Sequence, residues 1–212
     1  MVLDAAVQRF AEVGHDRATL DEISEAAGVR KPSIYDLFGS KDDLYRAAVE
    51  HEVSALIDFF RVANAETAHL PLSERSRRRM DAALTRAEDH PHGFQLLARA
   101  RSSHSDDRPD AGQDMLDRLV SVMADNYRRE SAAAGTPIDA GAELMARLFF
   151  SMADQVIAMR LDDDSWDRDA LVDFLASFIG GGIAGVQPNT WRALEHGTDR
   201  AVDDDDQIEG RR

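Results

Sequence analysis

Apolar positions along this chain recur every three or four residues and nowhere in sustained alternation, so the pattern predicts helices throughout and an all-α fold. Near the N-terminus, Leu20, Ile23 and Ala27 line one face of a segment opened by Thr19 and Glu22. That pair forms a capping box, in which hydroxyl and carboxylate satisfy amides the helix cannot pair itself. Gly28 follows as a left-handed cap and Val29 plugs the corner. Pro32 suits the first turn of a new helix, where a missing amide hydrogen is no loss. Gly39 and Ser40 end that helix, with Ser40 and Asp43 as a second capping pair, so it covers only about Pro32 to Phe38.

Helix, glycine turn, short helix and capped third helix is the layout that sets one helix into the major groove of DNA. At about 100° of rotation per residue, Ile34, Leu37 and Phe38 face inward, toward Leu20 and Ile23. Pro32 and Asp36 point the opposite way, with Ser33 and Tyr35 on the flanks. Flank hydroxyls suit phosphates and the outer stripe suits base edges. Lys41 lies at the start of the next helix, where free amides and the dipole already favour an anion, and Arg30 and Lys31 add charge in the turn.

Farther along, a long helix is expected from Ser40 to about Ala65, with apolar positions at Leu44, Ala48, Leu56 and Phe59 or Phe60. Pro71, His90-Pro91 and Pro109 divide the middle into helices over about 72–89 and 92–104. Met115, Leu116, Leu119, Val120, Met123 and Tyr127 mark a strongly amphipathic helix ending near Gly135. The segment from about Asp139 to Leu161 is apolar around most of its surface and must be buried on more than one side. The last helix, from about Asp167, presents Leu171, Phe174, Leu175, Phe178 and Ile179 before Gly180, Gly181 and Gly182, which either permit close backbone approach or end the helix. Two such helices can dock against the same pair from a second copy, giving a closed two-fold dimer.

The segment from Thr19 to Leu44 resembles the DNA-binding domain of the tetracycline-repressor (TetR) family of bacterial one-component regulators. It matches the family pattern at Thr19, Ile23, Ala27, Gly28, Val29, Tyr35, Phe38, Lys41 and Leu44. The resemblance implies an all-helical homodimer with a three-helix helix-turn-helix domain over residues 1–46 and a larger helical domain for ligand and dimerisation over 47–196. Its partners would be a double-stranded operator, a small-molecule effector and a second copy, with no cofactor. By the same resemblance Thr19, Ser33, Tyr35 and Lys41 hold phosphates, Arg30, Pro32, Ser33 and Asp36 face bases, and Lys31 adds charge beside them. Phe59, Phe60, Phe94, Leu97, Met115, Leu119, Phe149 and Met152 are candidate cavity lining because flexible thioethers and aromatics suit apolar ligands, with ordinary core as the stronger reading for most; the resemblance implies an inducer pocket among the central helices, but no family motif assigns its residues.

Three departures from the family matter. Asp36 places a carboxylate where a neutral or basic residue is common; it either accepts from a cytosine amino group or orients Arg30 or Lys31, with the second slightly favoured. Leu37 replaces a second aromatic or histidine, which fits a packing role. The sequence starts inside its first helix at Met1, Val2 and Leu3, so either the start is trimmed or the minor-groove contacts of a basic arm are missing.

Charge tempers the picture. The net charge of −15 excludes a generally basic, DNA-coating protein, so any DNA binding must come from a local face acting against the overall field. Residues 1–50 hold six Lys or Arg against ten Asp or Glu, which by itself fits a three-helix bundle with solvated charges. Position answers composition, because four of the six cations fall between Arg30 and Arg46. The absence of cysteine excludes disulfides, thiolate zinc sites and thiol redox sensing, and fits a reducing cytoplasm. Asp4, Arg9 and Glu12 interrupt any signal core, and the longest uncharged apolar run, Phe174 to Val186, is too short to span a bilayer.

Other clusters have bland readings beside the sharp ones. Glu88, Asp89, His90 and His92 hold metal-type donors, but Pro91 separates the histidines in an interhelix turn and capping is the stronger reading. Arg75, Arg77, Arg78 and Arg79 can touch DNA, receive an acidic effector or form a solvated helix face, the last being the default. Trp166 reads as a packing anchor. Residues 197–212 form an acidic tail, expected to be disordered, and Ile208 to Arg211 match a protease-cleavage linker. No phosphate-binding glycine loop, nucleophile elbow, HExxH or thiol is present, so an enzyme is not expected. The expected function is a ligand-responsive transcriptional regulator, a repressor by family analogy; the alternative is a dimer of the same fold that has lost operator binding and acts through ligand or protein partners.

Overall fold

The computed structural model describes residues 1–102, 111–133, 135, 137–187, 189–191 and 193–194, and the regular elements among them are all helical. The acidic tail lies outside the described residues. In chain order the helices are α1 (Val2–Arg17), α2 (Leu20–Ala27), α3 (Lys31–Phe38), α4 (Lys41–Thr67), α5 (Leu72–Asp89), α6 (Pro91–Ser102), α7 (Ala111–Ala133), α8 (Ala140–Asp162) and α9 (Arg168–Gly185).

The predicted punctuation is realised at α2 to α4. Thr19 Oγ1 accepts from the Glu22 amide at 3.3 Å, while the Thr19 amide donates to Glu22 Oε2 at 3.1 Å, closing the capping box. Gly28 adopts φ 66°, a left-handed cap that lets the Val29 amide reach back to the Ser24 carbonyl at 3.0 Å. Gly39 takes φ 86° after α3, and Ser40 Oγ then accepts from the Asp43 amide at 3.1 Å to start α4.

Two compact units emerge. The first comprises Met1–Ala65 and Ala82–Leu119; the second comprises Glu66–Asp81 and the described residues from Val120 on. In the first unit Phe10, Ile23, Ile34 and Leu44 are fully buried, and Phe10 meets the ring of Tyr45 edge-on at 5.1 Å. Each such side chain removed from water contributes about 1.5–3 kcal/mol of transfer free energy. Helix α1 packs along α6, and the backbone of α6 comes so near α4 at Gly93 that a Cβ there would collide with the Glu52 carboxylate.

In the second unit α8 packs on α9, with Phe149, Phe150, Val172 and Leu175 buried. Helix α9 continues through Gly180, Gly181 and Gly182 to Gly185, so these glycines do not end it. In α4 the buried stripe runs Leu44, Ala48, Val49, Val53, Ile57 and Phe60, while Leu56 is half-buried; the spacing drifts one position from the expected line. Trp166 is exposed in the turn before α9 and anchors no core.

Candidate nucleic-acid interface

Helix α3 holds itself to the body by a narrow seam. Ile34 is 1% exposed and Phe38 half-buried, and both lie on the side packed against α2. Pro32, Ser33, Tyr35 and Asp36 are all exposed, as is Arg30 at the N-cap, so five of the eight residues assigned to DNA face solvent on α3 and at its start.

Leu37 is a correction. The helical wheel assigned it to the inward face, yet it is 69% exposed. An eight-residue helix packed on one neighbour buries only the sector around Ile34 and Phe38. Leu37 sits a further 100° from Phe38, beside Ser33, where no helix covers it. An apolar side chain presented on the outer stripe can meet a thymine methyl group, which is a direct mode of base readout.

The cations are tied more closely than the sequence implied. Lys31 Nζ pairs with Asp21 Oδ2 at 2.9 Å, and that hydrogen bond raises the ammonium's pKa. Lys41 Nζ donates to the carbonyls of His15 at 3.1 Å and Ala18 at 3.3 Å, so its ammonium caps the end of α1. Thr19 Oγ1, engaged with its box, donates to Glu22 Oε2 at 2.7 Å. Asp36 forms no ion pair with Arg30 or Lys31, so the orienting role favoured for it is not realised here; Asp21 performs it for Lys31.

Beneath this face, the box is braced by Arg9, whose Nε and Nη2 reach the two oxygens of Glu22 at 3.2 and 2.6 Å. The Arg9 guanidinium first, then the Thr19 hydroxyl, hold the Glu22 carboxyl below its usual range. Arg9 was not singled out in the sequence, and the i to i+13 spacing between it and Glu22 carries no periodic signal.

Of the proposed ligand-lining residues, Phe60, Leu97, Met115 and Leu119 are buried in the first unit and Phe149 in the second. Phe94 and Met152 are half-buried, as is Phe59, which has the Arg86 guanidinium 5.6 Å above its ring. Among the described residues no group of three or more His, Cys, Asp or Glu is arranged to hold a metal, and His90 and His92 flank the start of α6. No helix there is long and apolar enough to cross a membrane.

Helices α2 and α3, joined through Gly28 and packed with α1, form a helix-turn-helix that offers the outer face of the short α3 to solvent, the arrangement that sets a helix into the major groove in DNA-binding proteins. The family pattern described as bacterial regulatory proteins, tetR family, matches residues 2–48. Residues 2–48 are therefore similar to the DNA-binding domain of the TetR family of transcriptional regulators.

Among curated relatives, it is 38% identical over 58 residues to the biofilm operon icaADBC HTH-type negative transcriptional regulator IcaR of Staphylococcus epidermidis, covering 27% of this chain and 31% of the relative. It is 33% identical over 96 residues to the HTH-type transcriptional activator FasR of Mycolicibacterium smegmatis, covering 45% of this chain and 43% of FasR. The matches therefore span under half the length of either relative. Over 87% of this chain, the fold matches the crystal structure of a TetR-like transcriptional regulator from Rhodococcus sp. RHA1, 94% of which is covered, at 27% identity and a TM-score of 0.64.

Proposed function

We propose that the protein is a ligand-responsive transcriptional repressor that binds a pseudo-palindromic operator as a homodimer. The observation that carries this reading is the outward stripe of α3: Pro32, Ser33, Asp36 and Leu37 toward base edges, with Tyr35 on the phosphate flank. Arg30 adds an exposed cation at the start of the same helix. Thr19 and Lys41 join the phosphate contacts by turning from their present partners, Glu22 and the end of α1, toward the incoming backbone.

Dimerisation is supported by apolar side chains left in solvent on two packed helices. Phe174 and Phe178 on α9 are 64% and 59% exposed and stack at 6.1 Å, and Leu144 and Leu148 on α8 are also exposed. Each pair is four residues apart and so forms a stripe, which suits an isologous contact with a second copy. Two heads related by that axis would read half-sites about 34–36 Å apart.

The effector acts by favouring an arrangement of the heads that does not fit the operator, which requires only that its affinity differ between the two states. Helix α6 is placed to carry the signal, since it touches α1 through Arg99 and α4 at Gly93. Repression follows from occlusion of the promoter, the sign that IcaR's description carries.

Titration of a duplex from the promoter region of the protein's own gene, followed by fluorescence anisotropy, tests the reading. The log of the binding constant should fall with log salt by about 0.9 per phosphate contacted. Tyr35→Ala and Lys41→Ala should weaken binding and flatten the slope. A second reading, a dimer of this fold without operator binding, is favoured by the Asp36 carboxylate on the groove-facing stripe. A wild-type protein with neither slope nor sequence preference would select it.

A further inference from the structure

The run Arg75, Arg77, Arg78 and Arg79 divides into an outward and an inward pair. Arg77 pairs with Asp173 at 2.6 Å and Arg78 with Glu74 at 2.9 Å, both on the surface as a solvated face should be. Arg79 is only 4% exposed and Arg75, one helical turn away, is largely covered, so the expectation of solvation fails for these two.

The inward pair shares one carboxylate. Glu130 Oε1, on α7, accepts from Arg79 Nη2 at 2.7 Å and from Asn126 Nδ2 at 2.8 Å, and Arg75 Nη1 stands 3.3 Å from the same oxygen. Arg79 Nε donates to Thr67 Oγ1 at 3.2 Å, but Arg75 Nε is buried with no hydrogen-bond partner. Two guanidiniums against one carboxylate leave a surplus positive charge, and burying such a group without its full set of acceptors is unfavourable. Other acids of the second unit pair with other arginines: Asp173 with Arg77, Asp81 with Arg168, and Asp125 and Asp139 with Arg128. Along α7, the buried side next to these polar groups continues as Tyr127, Ala124, Met123 and Val120, all of them buried.

We propose that Arg75 and Arg79, with Asn126 and Tyr127 beside them, form the head-group subsite for an amphipathic organic acid, whose carboxylate meets the two guanidiniums and whose apolar body lies along the Met123 side of α7. The planar guanidinium fork matches a carboxylate, and the incoming oxygens supply the acceptor that Arg75 Nε lacks. The subsite rests on the ligand-responsive reading above and gives it a substrate class: monocarboxylates with an extended hydrocarbon chain.

Isothermal titration of the full chain with decanoate, decanol and inorganic phosphate tests it without DNA. Decanoate should bind at least tenfold more tightly than decanol. Arg75→Gln should weaken decanoate at least tenfold and leave decanol unchanged, while Arg77→Gln changes neither. If Arg75→Gln does not fold, Arg75→Lys keeps the charge without the fork and should still weaken decanoate several-fold. Equal affinity for decanoate and decanol, no decanoate binding, or a decanoate affinity unmoved by the folded Arg75 variant overturns the proposal. Phosphate that binds as tightly as decanoate and competes with it overturns the amphipathic acid in favour of a plain anion site. Decanoate that binds as expected yet leaves operator affinity unchanged upholds the subsite and removes the ligand-responsive reading instead.

Discussion

Arg99, late in α6, donates its Nε to the carbonyl oxygen of Ala11 in α1 at 2.7 Å, 88 positions away in sequence. Its Nη2 approaches the Glu12 carbonyl at 3.4 Å. These acceptors lie just before Gly14, whose φ of 79° interrupts the α1 ladder, and Lys41 of α4 takes up carbonyls on the other side of the break. Two cations from different helices thus finish one helix end. Arg99→Ala should cost about 1–2 kcal/mol, because charge-assisted hydrogen bonds are lost and their acceptors are left poorly paired. Urea denaturation checks this, and Arg99→Lys should recover only part of the loss.

Ile34 and Leu37 should separate stability from recognition. Ile34→Ala empties a fully buried site and should destabilise by about 2–4 kcal/mol. Leu37→Ala, on an exposed residue, should change stability by less than about 0.5 kcal/mol while weakening operator binding. Chemical denaturation alongside anisotropy reads both. A Leu37 variant as destabilised as the Ile34 one would return the side chain to the core.

Tyr127 gives the protein an alkaline limit. Burial pushes its phenol up to about 12 from 10.0, with Arg79 opposing and Glu130 reinforcing the rise. The folded state therefore favours the neutral phenol. Its contribution is fully present below the unfolded value near 10 and is lost as pH rises toward 12. In an absorbance titration of the three tyrosines, one should ionise late, and Tyr127→Phe should remove that step.

Glu22 sets a limit on the acid side. Its carboxyl is lowered by Arg9 and then by Thr19, so what it adds to stability is complete above the ordinary value of 4.5 and is lost as pH falls through the depressed one. The difference in urea midpoint between wild type and Glu22→Gln should be clear at neutral pH and vanish in strong acid.

Replacing Phe174 and Phe178 together by Glu should give a monomer in sedimentation velocity experiments, since the paired exposed rings would carry charge across the two-fold contact. A dimer that survives the change must use another face.

Local signals made much of this fold legible. Thr19 with Glu22, Gly28, and Ser40 with Asp43 each satisfy orphan groups within a few residues, so their chemistry can be read without tertiary information. The span 72–89 and the amphipathic faces of α7 and α9 followed from spacing in the same way. Leu37 did not, because which sector of a short helix is covered depends on the neighbour's width. Lys31 and Lys41 read as free cations because Asp21 and the end of α1 reach them only after folding. The arginine run looked uniform, and only the position of Glu130, 51 residues beyond Arg79, divides it into wet and dry pairs.

Lys31 is neutralised by Asp21 and Arg46 pairs with Asp43, on a chain whose net charge is −15. For a regulator of the proposed kind this bears on how the target is found. Bulk chromosome offers on the order of 10⁶–10⁹ competing positions, and a head with little spare positive charge is retained weakly by each of them. More copies of such a regulator would then be free at any moment, and its search would rely on hops through solvent more than on sliding along the duplex.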